Sequence, residues 1–574
     1  MVGVGIMNFK SDGFKFKSDW VKCKGADLRD SIKSNKISYI YFTLIVLTFL
    51  FTRLYKLTEI PAGMHIDEIS MGYNVWSLIN FGTDKYNVSF PVYFNNAGSG
   101  QSVLYVYLTA IIAKIFGYNL FVLRFTAVLL GGVLLHYGTM VSYEMFGIKS
   151  AYITSAIITA MPIFINSERF AFDCNAMIAM FAVFLYYAVK LIKTNKKRYA
   201  VGVGVGVTLC FYSYILAFLE LGLLLVIGIV YILMTKTVKF KNILIAFGIS
   251  FILGIPLFLY IGVVFKVLPE MHIGLLSITD ASYRRTSELG WSGISVKEFL
   301  SNLNKLTSCD DYDFMASDRN NVFFTIPFLG LTISQYLLIS AIGVLGWLVY
   351  RQFKKKEFNY DFLLMIAIVS ILIPMFITSN FAIYRYGVIY VVFALVLSRV
   401  FSKLWESDIR IPELVLCVVY IISFGDFVFN YYQDYSYKSY FDNDLLTLAE
   451  EFDFDRYSDY NIYVDDTTSY NTGLVLLYGM RANPSDVINN SKNLDFSGMT
   501  YKNISLGIPS TINNTEKSVF IIRDISKGQD LYSDSSNPTE VYGRFANAQI
   551  ALSTLTDLGV SKEVKNNYYV CVLN

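Results

Sequence analysis

Apolar runs of the ~20 residues that a bilayer-crossing helix needs recur along the chain, separated by short polar breaks. They lie at 38–57, 119–143, 149–165, 174–192, 199–216, 217–235, 242–264, 329–350, 361–378, 384–401 and 411–430. The pattern predicts a polytopic α-helical membrane protein with about eleven transmembrane helices. A further apolar stretch, 102–116, is shorter and contains Lys114.

Charge decides where that stretch lies. Residues 1–37 hold eight basic and four acidic side chains, which predicts a cytoplasmic N-terminal segment. It is long, mixed in charge and lacks a small-residue cleavage site, so it does not read as a removable signal. The breaks Lys193–Arg198, Lys236–Lys241 and Arg351–Asp361 are also basic. All three fall inside only if 102–116 lies along the outer interface as an amphipathic helix and does not cross. The expected domains are then 1–37 inside, a membrane domain over 38–430 with outer loops 58–118 and 266–328, and a C-terminal segment, 431–574, outside. That segment carries 11 Lys+Arg against 19 Asp+Glu, net −8. Strand-like runs at Asn461–Asp466, Ser518–Asp524 and Tyr568–Leu573, with a helical run at Leu445–Phe452, predict a small extracytoplasmic α/β domain.

Composition narrows the class. The 574 residues are 54% hydrophobic and only 16% charged, against ~25% in soluble domains. A disordered chain and an ordinary cytosolic enzyme are excluded. A net charge of +3 does not suggest a nucleic-acid partner. Cys23, Cys174, Cys210, Cys309, Cys417 and Cys571 are scattered without metal-ligand spacing, so no zinc site is expected.

Polar residues that interrupt this design carry the chemistry. Gly63-Met64-His65-Ile66-Asp67-Glu68 follows the first span and opens a predicted helix over Asp67–Asn80. Carboxylates there can simply serve the helix N-terminus. Alternatively, Asp67 is a general base at the outer face, with Glu68 and His65 beside it. Ser167–Asn175 (SERFAFDCN) sits between two spans. Arg169 either pairs with Glu168 or Asp173, or offers its planar fork of donors to a phosphate while Asp173 serves as a second acid. Ser379–Tyr386 (SNFAIYRY) offers Tyr384 and Arg385, either as an interfacial anchor or as a second phosphate contact. All three clusters fall on the outer face under one topology. Glu220, inside an apolar run, is a candidate boundary acid or proton relay.

His65–Gly132, Glu168–Asn175 and Asn380–Arg385 resemble the first outer loop, second-loop motif and late Asn…Arg element of the glycosyltransferase C superfamily. The resemblance is to glycosyltransferase 39-like bacterial membrane proteins related to protein O-mannosyltransferases and aminoarabinose transferases. It covers roughly 38–430. It implies transfer of a hexose or pentose from a polyprenyl-phosphate-linked donor to an acceptor hydroxyl of a glycan, lipid or protein at the outer face of the cell membrane. By the same resemblance Asp67 is the base, Glu68 and Asp173 are accompanying catalytic acids, and Arg169, Arg385 and Tyr384 bind the donor phosphate. Asp67, Glu68 and Asp173 leave room for a divalent metal, but branches of the family work without one, and neither a metal nor another cofactor is expected. Two departures stand out. Asn95–Gln101 has no lysine where aminoarabinose transferases carry Lys-Pro-Pro, and 431–574 does not resemble a sugar-binding trefoil. A membrane transporter or lipid flippase is the competing reading. Transporters place charges near the bilayer midplane, whereas here they gather in loops and at span ends.

Overall fold

The computed structural model describes residues 36–96, 99–280, 296–307, 327–328, 331–353, 358–376, 383–405, 411–434, 443–466, 471–489, 496, 499–524 and 538–574. The expectations placed on 1–35, on parts of loop 266–328 and on Ser379–Ala382 lie outside these residues.

Each apolar run falls on a helix. They are α1 (Lys36–Leu54), α4 (Leu120–Phe146), α5 (Ile148–Ala160) with α6 (Pro162–Ser167), α7 (Asp173–Thr194), α8 (Lys197–Ser213), α9 (Ala217–Met234), α10 (Phe240–Val264), α12 (Ile333–Phe353), α13 (Tyr360–Leu372), α14 (Val388–Trp405) and α15 (Ile411–Asp434). Between them lie α2 (Ile66–Phe81), α3 (Leu104–Phe116) and α11 (Val296–Thr307). Among the described residues six, namely α1, α4, α7, α9, α10 and α14, are long and apolar enough to cross a membrane by length and composition. The run 149–165 is broken where Pro162, which has no N–H to give the preceding turn, restarts the helix as α6.

Stretch 102–116 forms α3, whose 13 residues reach only ~20 Å, short of a ~30 Å hydrocarbon core. One side packs on α2 while Ile111, Ile115 and Phe116 stay exposed. Before it, β1 (Phe94–Asn96) and β2 (Ser99–Gln101) form an antiparallel hairpin. A second hairpin, β3 (Met271–Ile273) with β4 (Leu276–Ile278), follows α10 and bridges from Ser277 to Pro91. Val92, Tyr93, Leu257, Tyr260, Val263 and Ile278 form one apolar cluster there, tying the chain before β1 to the end of α10.

Residues 443–574 build an α/β unit. Its strands, β5 (Asn461–Val464), β6 (Val487–Asn489), β7 (Met499–Tyr501), β8 (Ile504–Leu506), β9 (Ser518–Arg523), β10 (Lys562–Lys565) and β11 (Tyr568–Leu573), form one sheet in the order β10-β11-β9-β5-β8-β7-β6. The central β9, β5 and β8 run parallel, which requires crossovers. Helix α16 (Asn443–Glu451) precedes the first strand, and α17 (Thr472–Gly479) and α18 (Pro538–Asp557) lie between strands in sequence. All six residues of β9 are buried, as expected of a strand covered on both faces. Helix α17 packs on α2, the helix that starts at the Asp67–Glu68 pair.

Candidate active site

His65 caps α2. Its Nδ1 accepts from the Asp67 amide at 3.0 Å, and Glu68 Oε2 accepts from the His65 amide at 3.1 Å, a reciprocal box that fixes the first turn. With Nδ1 an acceptor, the ring proton sits on Nε2. The 3.6 Å approach of Asp67 Oδ2 to Nδ1 is therefore not an ion pair.

The two acids diverge sharply. The Glu68 side chain is 0% exposed. Arg124 of α4 grips it with Nε and Nη2, both at 3.0 Å, and the Ala171 amide donates to it at 2.9 Å. The same guanidinium holds the carbonyls of Leu57, Pro61 and Gly63. Glu68 thus fastens the loop after α1 to α4 and to the second cluster, and all its capacity is used. The Asp67 carboxylate is 32% exposed. Its Oδ1 accepts from Asn96 Nδ2 at 2.9 Å. Asn96 Oδ1 in turn accepts from Lys85 Nζ at 3.2 Å, and Lys85 also donates to Ser70 Oγ. A chain Lys85–Asn96–Asp67 therefore links a cation to the half-open carboxylate. Lys85 is buried, and burial pushes its ammonium well below the ordinary lysine range, against the opposing pull of Asp84 and Asp67. Burial raises the Asp84 carboxyl, although it accepts from the amides of Tyr86 and Val88.

In the second cluster, Glu168 does not pair with Arg169. It binds Arg53 of α1, Nε to Oε2 at 2.7 Å. Gly131 permits this: a Cβ there would sit 2.4 Å from the Glu168 carboxyl carbon. Arg169 also departs from the phosphate-contact expectation. Its guanidinium is buried and donates to the carbonyls of Thr52, Arg53, Tyr55, Lys56 and Ile60 at 2.7–3.2 Å. Thr52 and Arg53 lie in the last turn of α1 and Tyr55, Lys56 and Ile60 in the chain that follows, and a cation is suited to carbonyls at a helix C-terminus. Tyr431 and Tyr432 flank its other faces at 5.7 and 5.4 Å.

Asp173 opens α7. Its Oδ1 accepts from the Cys174 amide at 2.9 Å and its Oδ2 from the Ser102 amide at 3.3 Å. An aromatic series joins the three clusters. His65 meets Phe172 edge-on at 5.1 Å, and Phe172 stacks on Tyr384 at 5.9 Å. Arg385 lies over Tyr384 at 6.0 Å. The rings of His65, Phe172 and Tyr384 thus run from the turn that holds Asp67, past Asp173, to Arg385. His65, Asp67, Asp173, Tyr384 and Arg385 are brought together, while Glu68 and Arg169 form the frame behind them. Among the described residues no three His, Cys, Asp or Glu side chains converge as metal ligands. Glu220 lies apart in α9, buried, with no hydrogen-bond partner for either oxygen among the described residues.

Lys85, Asn96 and Ser70 were not selected from the sequence. Nothing in the run Gly82-Thr83-Asp84-Lys85-Tyr86 marks it off from an ordinary polar turn. Arg124 and Arg53 did carry a signal, because ionisable groups inside apolar runs usually face partners.

The fold and site define a polytopic membrane protein with its polar chemistry at span ends and in the loop between α1 and α4. The family model described as "Dolichyl-phosphate-mannose-protein mannosyltransferase" matches residues 101–260. No curated protein matches the chain. The structure is similar to ArnT from Cupriavidus metallidurans bound to undecaprenyl phosphate, with TM-score 0.57 and 11% identity over 93% of this chain and 98% of that one. The apo state of the same protein gives 0.55 and 11% over 94% and 98%. At that identity the likeness is one of fold. The family model thus matches one stretch of the chain, and the likeness to ArnT over nearly the whole chain is that of the fold.

Proposed function

We propose that the protein transfers a sugar from a polyprenyl-phosphate donor to an acceptor hydroxyl at the outer face of the membrane, with Asp67 as general base. The observation that carries this reading is a half-open carboxylate, oriented by Asn96, at one end of the His65–Phe172–Tyr384 ring series whose other end carries Arg385. A hydroxyl is a poor nucleophile. A positioned base contributes ~10²–10⁴-fold to such a step. As the acceptor oxygen attacks the anomeric carbon, the sugar–phosphate bond breaks and the acceptor proton passes to Asp67. Arg385, held against Tyr384, meets the negative charge growing on the departing phosphate. Asp173 orients the acceptor. Direct displacement of this kind inverts the anomeric carbon.

Lys85 is a positioning residue in this scheme, acting on Asp67 through Asn96. Glu68, committed to Arg124, is assigned to the frame and not to the chemistry. Arg169 is likewise assigned to the end of α1. The scheme calls on no metal, and Glu68 is committed to Arg124. The ArnT relative was crystallised with undecaprenyl phosphate, which favours a polyprenyl carrier here. The test is transfer by purified protein from polyprenyl-phosphate sugars. Release or transfer of sugar is expected from wild type. Full activity in Asp67→Asn would remove the base.

A further inference from the structure

We propose that the C-terminal α/β unit completes the active site, with Phe496 acting as a positioning residue that clamps Tyr86 and thereby keeps Lys85 on Asn96. This rests on the reading of Asp67 as base, and extends it to a part of the chain that the family match at 101–260 does not include.

Four contacts join that unit to the site. The Phe496 and Tyr86 rings stack at 4.9 Å with planes 2° apart. The Tyr86 ring carries the Lys85 ammonium 5.3 Å above its centroid. Tyr73 and Trp76 of α2 donate to the carbonyls of Ala482 and Arg481, each at 3.2 Å. At Gly72 the fit is so close that a Cβ would fall 2.6 Å from a Tyr478 ring carbon. Both elements that deliver site residues, α2 for Asp67 and the 84–86 turn for Lys85, are therefore held against the same unit. Phe496 is buried, and its ring is one turn residue away from the ammonium it governs. Flat stacking between rings is worth ~0.5–1.5 kcal/mol beyond the area it covers, enough to favour one orientation of a turn.

The clamp has a chemical consequence. Lys85 is kept out of water, and the charges acting on it among the described residues are Asp84 and Asp67. Opening the stack hydrates the ammonium and releases it from Asn96. Asp67 then loses the orientation that Asn96 imposes, while Arg385 keeps its hold on the donor.

The experiment follows Lys85 directly in the full-length protein in detergent or vesicles. Its amine is acylated across a pH series, and the modified peptide is quantified by mass spectrometry. Wild type should give a midpoint below that of surface lysines. Phe496→Ala and Tyr86→Ala, which open the clamp from either side, should raise the midpoint by at least about one pH unit, a roughly tenfold change in neutral amine at a fixed pH. Phe496→Tyr should restore it. In transfer assays Phe496→Ala should lower kcat at nearly unchanged donor KM. An unchanged Lys85 midpoint in both alanine variants overturns the proposal, as does equal damage from Phe496→Tyr and Phe496→Ala. The labelling result stands apart from activity. If Asp67→Asn stays fully active while the midpoint still moves, the base is wrong and the clamp is right.

Discussion

Asp67 and Glu68 are adjacent carboxylates whose surroundings give them opposite work. Removing one partner of a buried ion pair leaves the other charge unpaired, at a cost of ~3–5 kcal/mol. Glu68→Gln, which strips Arg124 of its counter-charge, should therefore lower thermal stability by several degrees. Asp67→Asn, half-open and bonded at one oxygen, should unfold with wild-type protein while losing transfer. A thermal melt beside an activity assay separates the two, and a stable Glu68→Gln would contradict the frame role. Lys85 predicts a pH dependence. Its lowered ammonium loses charge as pH rises through a midpoint below the ordinary lysine range, so kcat/KM should fall on the alkaline side earlier than a surface lysine would allow. Lys85→Met should lower the plateau and flatten that arm. The histidine–acid pair was legible in the sequence because it stands alone after a span. The division of labour inside it was not, since it depends on Arg124, 56 residues away in sequence from Glu68.

Periodicity located helices well because lipid and core both demand apolar faces, and each long run did become a helix. What it could not show is where a run breaks or lies flat. Pro162 marks the break between α5 and α6, a local signal visible in the chain. For α3 the signal was the parity of basic loops, and its 13-residue length agrees with a helix too short to cross. A helix in the plane of the interface holds all its residues at one depth, whereas a crossing helix spreads them. Tryptophan placed at Ile111 and, separately, at Phe116, with the five native tryptophans replaced by phenylalanine, reads that depth by quenching from brominated lipids. Equal quenching by shallow bromines at both positions is expected. Stronger deep quenching at Ile111 would show that α3 crosses.

At the scale of the whole molecule the contact between α17 and α2 links orientation to chemistry. The acidic balance of 431–574 and its strand-like runs made an α/β unit legible, but not its docking, because the buried faces of Tyr478 and Gly72 look like ordinary membrane-protein residues in sequence. Since α17 packs on the helix that begins at Asp67, the unit and the base must share one side of the membrane. A single label therefore decides both. In a cysteine-free background, Ser485→Cys on the exposed surface of the α/β unit should react with a membrane-impermeant maleimide on intact cells. Lys196→Cys, in the basic turn between α7 and α8, should react only after permeabilisation. Labelling in the reverse order would put Asp67 in the cytoplasm, away from a donor reached from outside. Labelling of both on intact cells would require a different number of crossings between residues 196 and 485, and would redraw the path of the chain while leaving the Asp67 site on the outer face.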